Sequence, residues 1–139
     1  MNTRFSSLVT IKKNAMEKSE RVVQNANKDL DSAKKALENA YTSLNSMASP
    51  QSGTMAQLLA NRTLFNSQRH QITHNQEWIN YSSSQLETAQ KELKSAMIEY
   101  EKFKYLELEE IKKILKKQKI EEAKELDEIA LMTYKQKNN

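Results

Sequence analysis

The only proline and the only glycine of this chain stand close together, at Pro50 and Gly53. Proline withholds a backbone donor and clashes with the preceding turn, and glycine allows the backbone geometry that reverses a chain. Both lie within Ser49-Pro50-Gln51-Ser52-Gly53-Thr54, where Thr54 or Ser52 can cap a following helix through its hydroxyl. The long runs on either side contain no breaker. The sequence therefore predicts helix, turn, helix: residues 3–48, a turn over 49–53, and residues 54–136. The fold class is all-α, a single antiparallel two-helix coiled-coil hairpin over 1–139 with the second helix longer than the first.

A seven-residue repeat supports the pairing. In the first helix one position runs Val9, Met16, Val23, Leu30, Leu37, Leu44, and its companion runs Phe5, Lys12, Ser19, Ala26, Ala33, Ala40, Met47. In the second, Leu58, Phe65, Ile72, Ile79, Leu86, Leu93 and Tyr100 recur without a miss. Their companions are Asn61, Gln68, Asn75, Ser82, Ala89, Ala96 and Phe103. A strict seven-residue period closes on 3.5 residues per turn and imposes a left-handed supercoil. In an antiparallel pair each large position faces a small or polar one, which avoids both overpacking and voids. Leu37 is expected near Asn61 or Gln68, and Ala33 near Phe65 or Ile72. Polar seam residues cost stability and fix register.

The helices are unequal. A turn near residue 51 exhausts the first helix when the second reaches about residue 95–100, leaving about 35 residues beyond it. There the apolar phase changes, to Leu106, Leu108, Ile111, Ile114, Leu115, Ile120, Leu126, Ile129 and Met132. Lysines at 112, 113, 116, 117 and 119 precede the acids Glu121, Glu122, Glu125, Asp127 and Glu128. Pairs such as Glu109–Lys113 and Lys117–Glu121 have helical i,i+4 spacing. This extension, apolar on one stripe and charged elsewhere, has the character of a docking element.

Composition narrows the function. The 22 basic and 18 acidic residues are interspersed, so a net charge of +4 reflects ion-paired helix faces more than a nucleic-acid surface. There is no cysteine, no Gly-rich phosphate loop and no nucleophile elbow. A two-helix coil also offers no concave pocket. The chain is expected not to be an enzyme and to need no cofactor. His70 and His74 share a helix face with Glu77 nearby, but two certain ligands do not make a metal site, and none is expected. The start of the chain lacks the pattern of a signal peptide, and no run approaches the roughly 20 apolar residues of a membrane span. A soluble, cytoplasmic protein is expected. Phe65 and Tyr100 occupy seam positions, whereas Tyr41 and Trp78 flank the seam, where aromatic groups can anchor a partner.

Both chain ends resemble the flagellar export protein FliJ family. Arg4-Phe5-Ser6-Ser7-Leu8-Val9-Thr10-Ile11-Lys12-Lys13, followed by Glu17, Ser19 and Glu20, is similar to that family's opening. Glu121-Glu122-Ala123-Lys124-Glu125-Leu126-Asp127-Glu128-Ile129-Ala130 is similar to its acidic ending. The middle, residues 48–85, matches by architecture alone. The resemblance implies a component of the flagellar type III export apparatus, peripheral at the flagellar base and similar to the gamma-subunit stalk of rotary ATP synthases. Its implied partners are the export ATPase hexamer, the cytoplasmic domain of the export gate, and export chaperones. Under this reading the ring receives the chain ends, with Arg4, Lys12, Lys13, Leu108, Ile111, Leu115, Leu126, Asp127 and Glu128. The gate receives the hairpin body, with Leu37, Tyr41, Leu44, Leu58 and Phe65, and Trp78 is a further candidate contact for a partner. The extension could also pair with a second copy. The other readings are an injectisome stalk protein, or a coiled-coil adaptor or chaperone of the prefoldin kind, although so short a turn leaves no room for prefoldin strands. A nucleic-acid-binding hairpin ranks after these.

Overall fold

In a computed structural model, which describes residues 2–47 and 53–137, the chain forms two helices packed as a hairpin. α1 spans Ser6–Ser46 and α2 spans Met55–Lys137, within a few residues of the limits set by Pro50 and Gly53. Residues 48–52, which hold most of the expected turn and the alternative cap Ser52, lie outside the described residues. Internal contacts group the chain into two units, Met1–Met16 with Ala96–Asn139, and Glu17–Ser95.

Each helix opens on a reciprocal cap. Before α1, the amide of Phe5 donates to Thr3 Oγ1 at 3.1 Å and the amide of Thr3 donates to Ser6 Oγ at 2.8 Å. Before α2, the amide of Gln57 donates to Thr54 Oγ1 at 3.2 Å and that of Thr54 donates to Gln57 Oε1 at 3.1 Å. The second is a capping box, in which each residue's side-chain oxygen accepts from the other's backbone amide, satisfying two donors without helical acceptors. Gly53 precedes it with φ +156°, and a Cβ there would stand 2.6 Å from the same Gln57 Oε1. Glycine at this position leaves the box room to close.

In the Glu17–Ser95 unit the core is a narrow seam. Ala26, Leu30, Ala33, Ala40, Ile72 and Ala89 are buried, together with Asn75 and Ser82, and all lie on the repeat. The remaining repeat positions of this unit are half-buried, apart from Leu58, which is 43% exposed. Two cross-helix bonds set the register: Gln68 Nε2 donates to the Ala40 carbonyl at 3.1 Å, and Asn75 Nδ2 to the Ala36 carbonyl at 3.3 Å. Extended in heptads, this register sets Leu37 against Asn75, Leu30 against Ser82, Ala40 against Ile72 and Ala33 against Ile79. Large still faces small or polar, but one heptad further along α2 than the sequence suggests. The reason lies at the start of α2. Residues 55–60 are all exposed, because the first turns of α2 run past the end of α1 before pairing begins.

In the unit formed by the chain ends, the same shift carries the pairing beyond residues 95–100. Arg4 reaches Glu110 at 3.6 Å, and Lys12 reaches Glu99 at 3.7 Å. Half-buried residues on α2 persist to Ile114, and every residue from Leu115 to Lys137 is exposed. The uncovered extension is thus shorter than the length arithmetic implies. It is one helix throughout, as its lack of breakers requires.

Candidate functional site

A surface that binds proteins needs apolar anchors left free by the fold, and on this hairpin they are the residues off the seam. In the Glu17–Ser95 unit, Tyr41 is 42% exposed and its hydroxyl accepts a hydrogen bond from Gln76 Nε2 at 3.0 Å. Trp78, 38% exposed, stands on the other flank of the seam. There His74, Glu77, Trp78 and Tyr81 line one shallow depression, and Tyr81 also borders a second with Val22, Asn25 and Asp29. The two aromatic residues singled out from sequence therefore do not share a surface. Leu37, Leu44 and Phe65 are half-buried at seam positions, so most of their apolar area is spent within the hairpin. Leu58 differs, being exposed beside Met55 and Leu59 where α2 has no α1 opposite.

In the chain-end unit the basic residues are partly engaged. Arg4 pairs with Glu110 and its guanidinium stacks over the Phe5 ring, 4.9 Å from the centroid. Lys12 occupies a seam position, lays its stem along the seam, and carries its ammonium to Glu99 and to 5.6 Å from the Phe103 centroid. Lys13 faces solvent. Ion pairs this exposed contribute at most ~1 kcal/mol, so a competing acidic partner can displace them at small cost. On α2, Leu108, Leu115 and Leu126 are exposed, Ile111 is half-buried, and Asp127 and Glu128 are exposed. Glu109 turns to Lys112 at 3.4 Å, one residue short of the Lys113 that spacing suggests. Helical neighbours three and four apart are equally within reach, and side-chain rotamers decide between them.

Residues that sequence reasoning passed over include Val22 and Tyr81 in one unit, and Met97, Ile98 and Tyr105 in the other, all exposed. The signal was present. Ile98 and Tyr105 stand seven apart on an outer position, and Tyr81 follows Trp78 at i+3, so both recur at helical spacing away from the seam. His70, His74 and Glu77 gather no further ligand, and among the described residues no group of three or more acidic, histidine or cysteine side chains could hold a metal ion. Among the same residues no helix is long and apolar enough to cross a membrane.

The family model described as "Flagellar FliJ protein" matches residues 1–139, the whole chain. The chain belongs to the FliJ family. Neither a curated protein nor a solved structure matches it. As a FliJ-family member it is a component of the flagellar export apparatus, in which the family's part is non-catalytic. Membership implies interaction within that apparatus.

Proposed function

We infer that this FliJ-family chain serves as the coiled-coil stalk of the flagellar type III export ATPase, promoting assembly of the ATPase ring and coupling it to the export gate and to export chaperones. The chain ends enter the ring, with Arg4, Lys12, Lys13 and the α2 extension making contact. The hairpin body offers the cytoplasmic domain of the gate Tyr41 on one flank of the seam and Trp78 on the other, with Leu58 at the start of α2. Catalysis belongs to the ATPase. The chain contributes a stiff, partly uncovered helix that a ring of six subunits can grip, and a separate surface for the gate.

The observation that carries this reading is the state of α2 beyond Ile114. Every residue from Leu115 to Lys137 is exposed, including Leu115, Leu126, Ile129 and Met132, which are 46%, 65%, 59% and 67% accessible. A row of large apolar side chains held in water on a helix that nothing in the chain covers is a surface awaiting another protein. Its dense charge, lysines first and then acids, keeps the helix solvated until then.

Binding assays with the purified export ATPase and the purified gate domain test both halves of the proposal. A chain truncated after Ile114 is expected to lose ATPase binding and stimulation while keeping the gate interaction. Substituting Trp78 and Tyr41 by alanine is expected to do the reverse. Undiminished ATPase binding by the truncated chain overturns the role of the extension.

A further inference from the structure

The face of α2 that packs on α1 near the chain ends carries Phe103, Glu107, Glu110 and Ile114, all half-buried. A second apolar row runs beside it, one residue out of step. Leu108, Ile111 and Leu115 each directly follow a seam position, which sets this row about 100° round the helix. The row therefore leaves the α1 side before α1 ends. Leu108 is 52% exposed although Arg4 still reaches Glu110, a little further along. It continues at spacings of three and four through Gln118, Glu122, Leu126 and Ile129, uncovered from Leu115 onward.

Two features of the row specify what covers it. It reads almost the same in both directions about residue 120: Gln118 and Glu122 lie on either side, then Leu115 and Leu126, then Ile111 and Ile129. Charge inverts across the same point. Lysines fill 112, 113, 116, 117 and 119, and acids fill 121, 122, 125, 127 and 128, with Lys124 the single base among them. Reversed about residue 120, Lys112 meets Glu128, Lys113 meets Asp127 and Lys119 meets Glu121, while Lys116 meets Lys124 and Glu109 and Glu110 meet uncharged residues, so the segment is largely complementary to itself.

We propose that this row is a homodimer interface, in which segments 108–133 of two copies pair antiparallel about residue 120. Leu115 of one copy then meets Leu126 of the other, and Ile111 meets Ile129. Gln118 lies beside Glu122 at the centre, where a polar pair holds the register. The lysine-rich half of each helix runs along the acid-rich half of the other. Parallel pairing sets lysine on lysine and acid on acid, so the charges select the direction. Because the row is turned away from the seam, both copies keep their hairpins intact.

Sedimentation equilibrium of the full-length chain over a wide concentration range is expected to show monomer and dimer in exchange. Association weakens as salt is added, since opposite charges bring the helices together. Leu115→Asp combined with Leu126→Asp is expected to weaken the dimer by at least about 100-fold. Both side chains are exposed, so the circular dichroism of the hairpin persists. The chain has no cysteine, so direction is read by mixing a Gln118→Cys chain with a Glu122→Cys chain under oxidation. The mixed disulfide should then exceed the Gln118→Cys homodimer. A chain monomeric at every concentration, whose row serves some other protein, overturns the proposal. So does a dimer indifferent to the paired Asp substitutions, or one that salt strengthens and that traps the Gln118→Cys homodimer instead.

Discussion

Ala33 is closed off from solvent entirely, and among the described residues no larger side chain is. A seam alanine with no exposed surface has no free space beside it for a larger side chain. Ala33→Leu forces either an unfavourable rotamer or a separation of the helices, and is expected to cost about 1–3 kcal/mol in urea unfolding. Lys34→Leu, one residue away on the exposed face, is the control and should be close to neutral. Asn75 shows the opposite use of a seam position. It is 4% exposed and donates to the Ala36 carbonyl, a bond available only when Asn75 and Ala36 are level. The alternation of Leu30, Ala33, Leu37 and Ala40 was legible in the sequence, because a strict heptad leaves little freedom in which side chains face inward. Which heptad of α2 each residue meets was not. Every shift by seven keeps large opposite small, and the deciding quantities are the length of the connection and the bonds of Gln68 and Asn75.

At the scale of the elements, helix α2 begins where a few polar atoms tell it to. Thr54 and Gln57 satisfy each other's amides, and Gly53 leaves room for the glutamine that closes the box. Thr54→Ala removes one acceptor from the first turn and is expected to destabilise the hairpin by about 1 kcal/mol, read as a lower midpoint in thermal unfolding with α2 otherwise helical. Thr54→Ser should retain most of the stability. The sequence located both helices within a few residues because their limits are set locally, by caps and by Pro50 and Gly53. It misjudged the extension because coverage of α2 is not local. It depends on how far the first turns of α2 travel before meeting α1, and this moves the paired region along α2 and shortens the free C-terminal part. The change of apolar phase after Phe103 was visible in advance. Its meaning, a second row beside the seam and partly overlapping it in sequence, needed the burial of Glu107, Glu110 and Ile114 against the exposure of Leu108 and Leu115. The surface residues were the least legible, since an exposed Trp78 and a half-buried Phe65 carry the same hydrophobic label.

At the scale of the whole molecule, the proposed homodimer and the proposed insertion into an ATPase ring draw on one face of α2. The two exclude each other, so on these proposals the free chain and the engaged chain present different surfaces. The hairpin also has an order in time. The bonds of Gln68 and Asn75 join residues 28 and 39 positions apart, whereas Arg4 and Glu110 are separated by most of the chain. Closing the shorter loops first costs the least entropy, and each pair then brings the next within reach. The pairing between the chain ends therefore forms last and frays first. Amide hydrogen exchange is expected to run fastest in α1 from Ser6 to about Met16 and slowest around Leu30 to Ala40. Uniform protection along α1 would contradict this order. A helix that comes loose at its N-terminal end uncovers Phe103, Ile114 and its own Phe5 and Val9 for brief intervals. Any partner that grasps the ends of this chain thus meets a surface that widens and narrows with thermal opening, and the strength of pairing near Met16 sets how often it is offered.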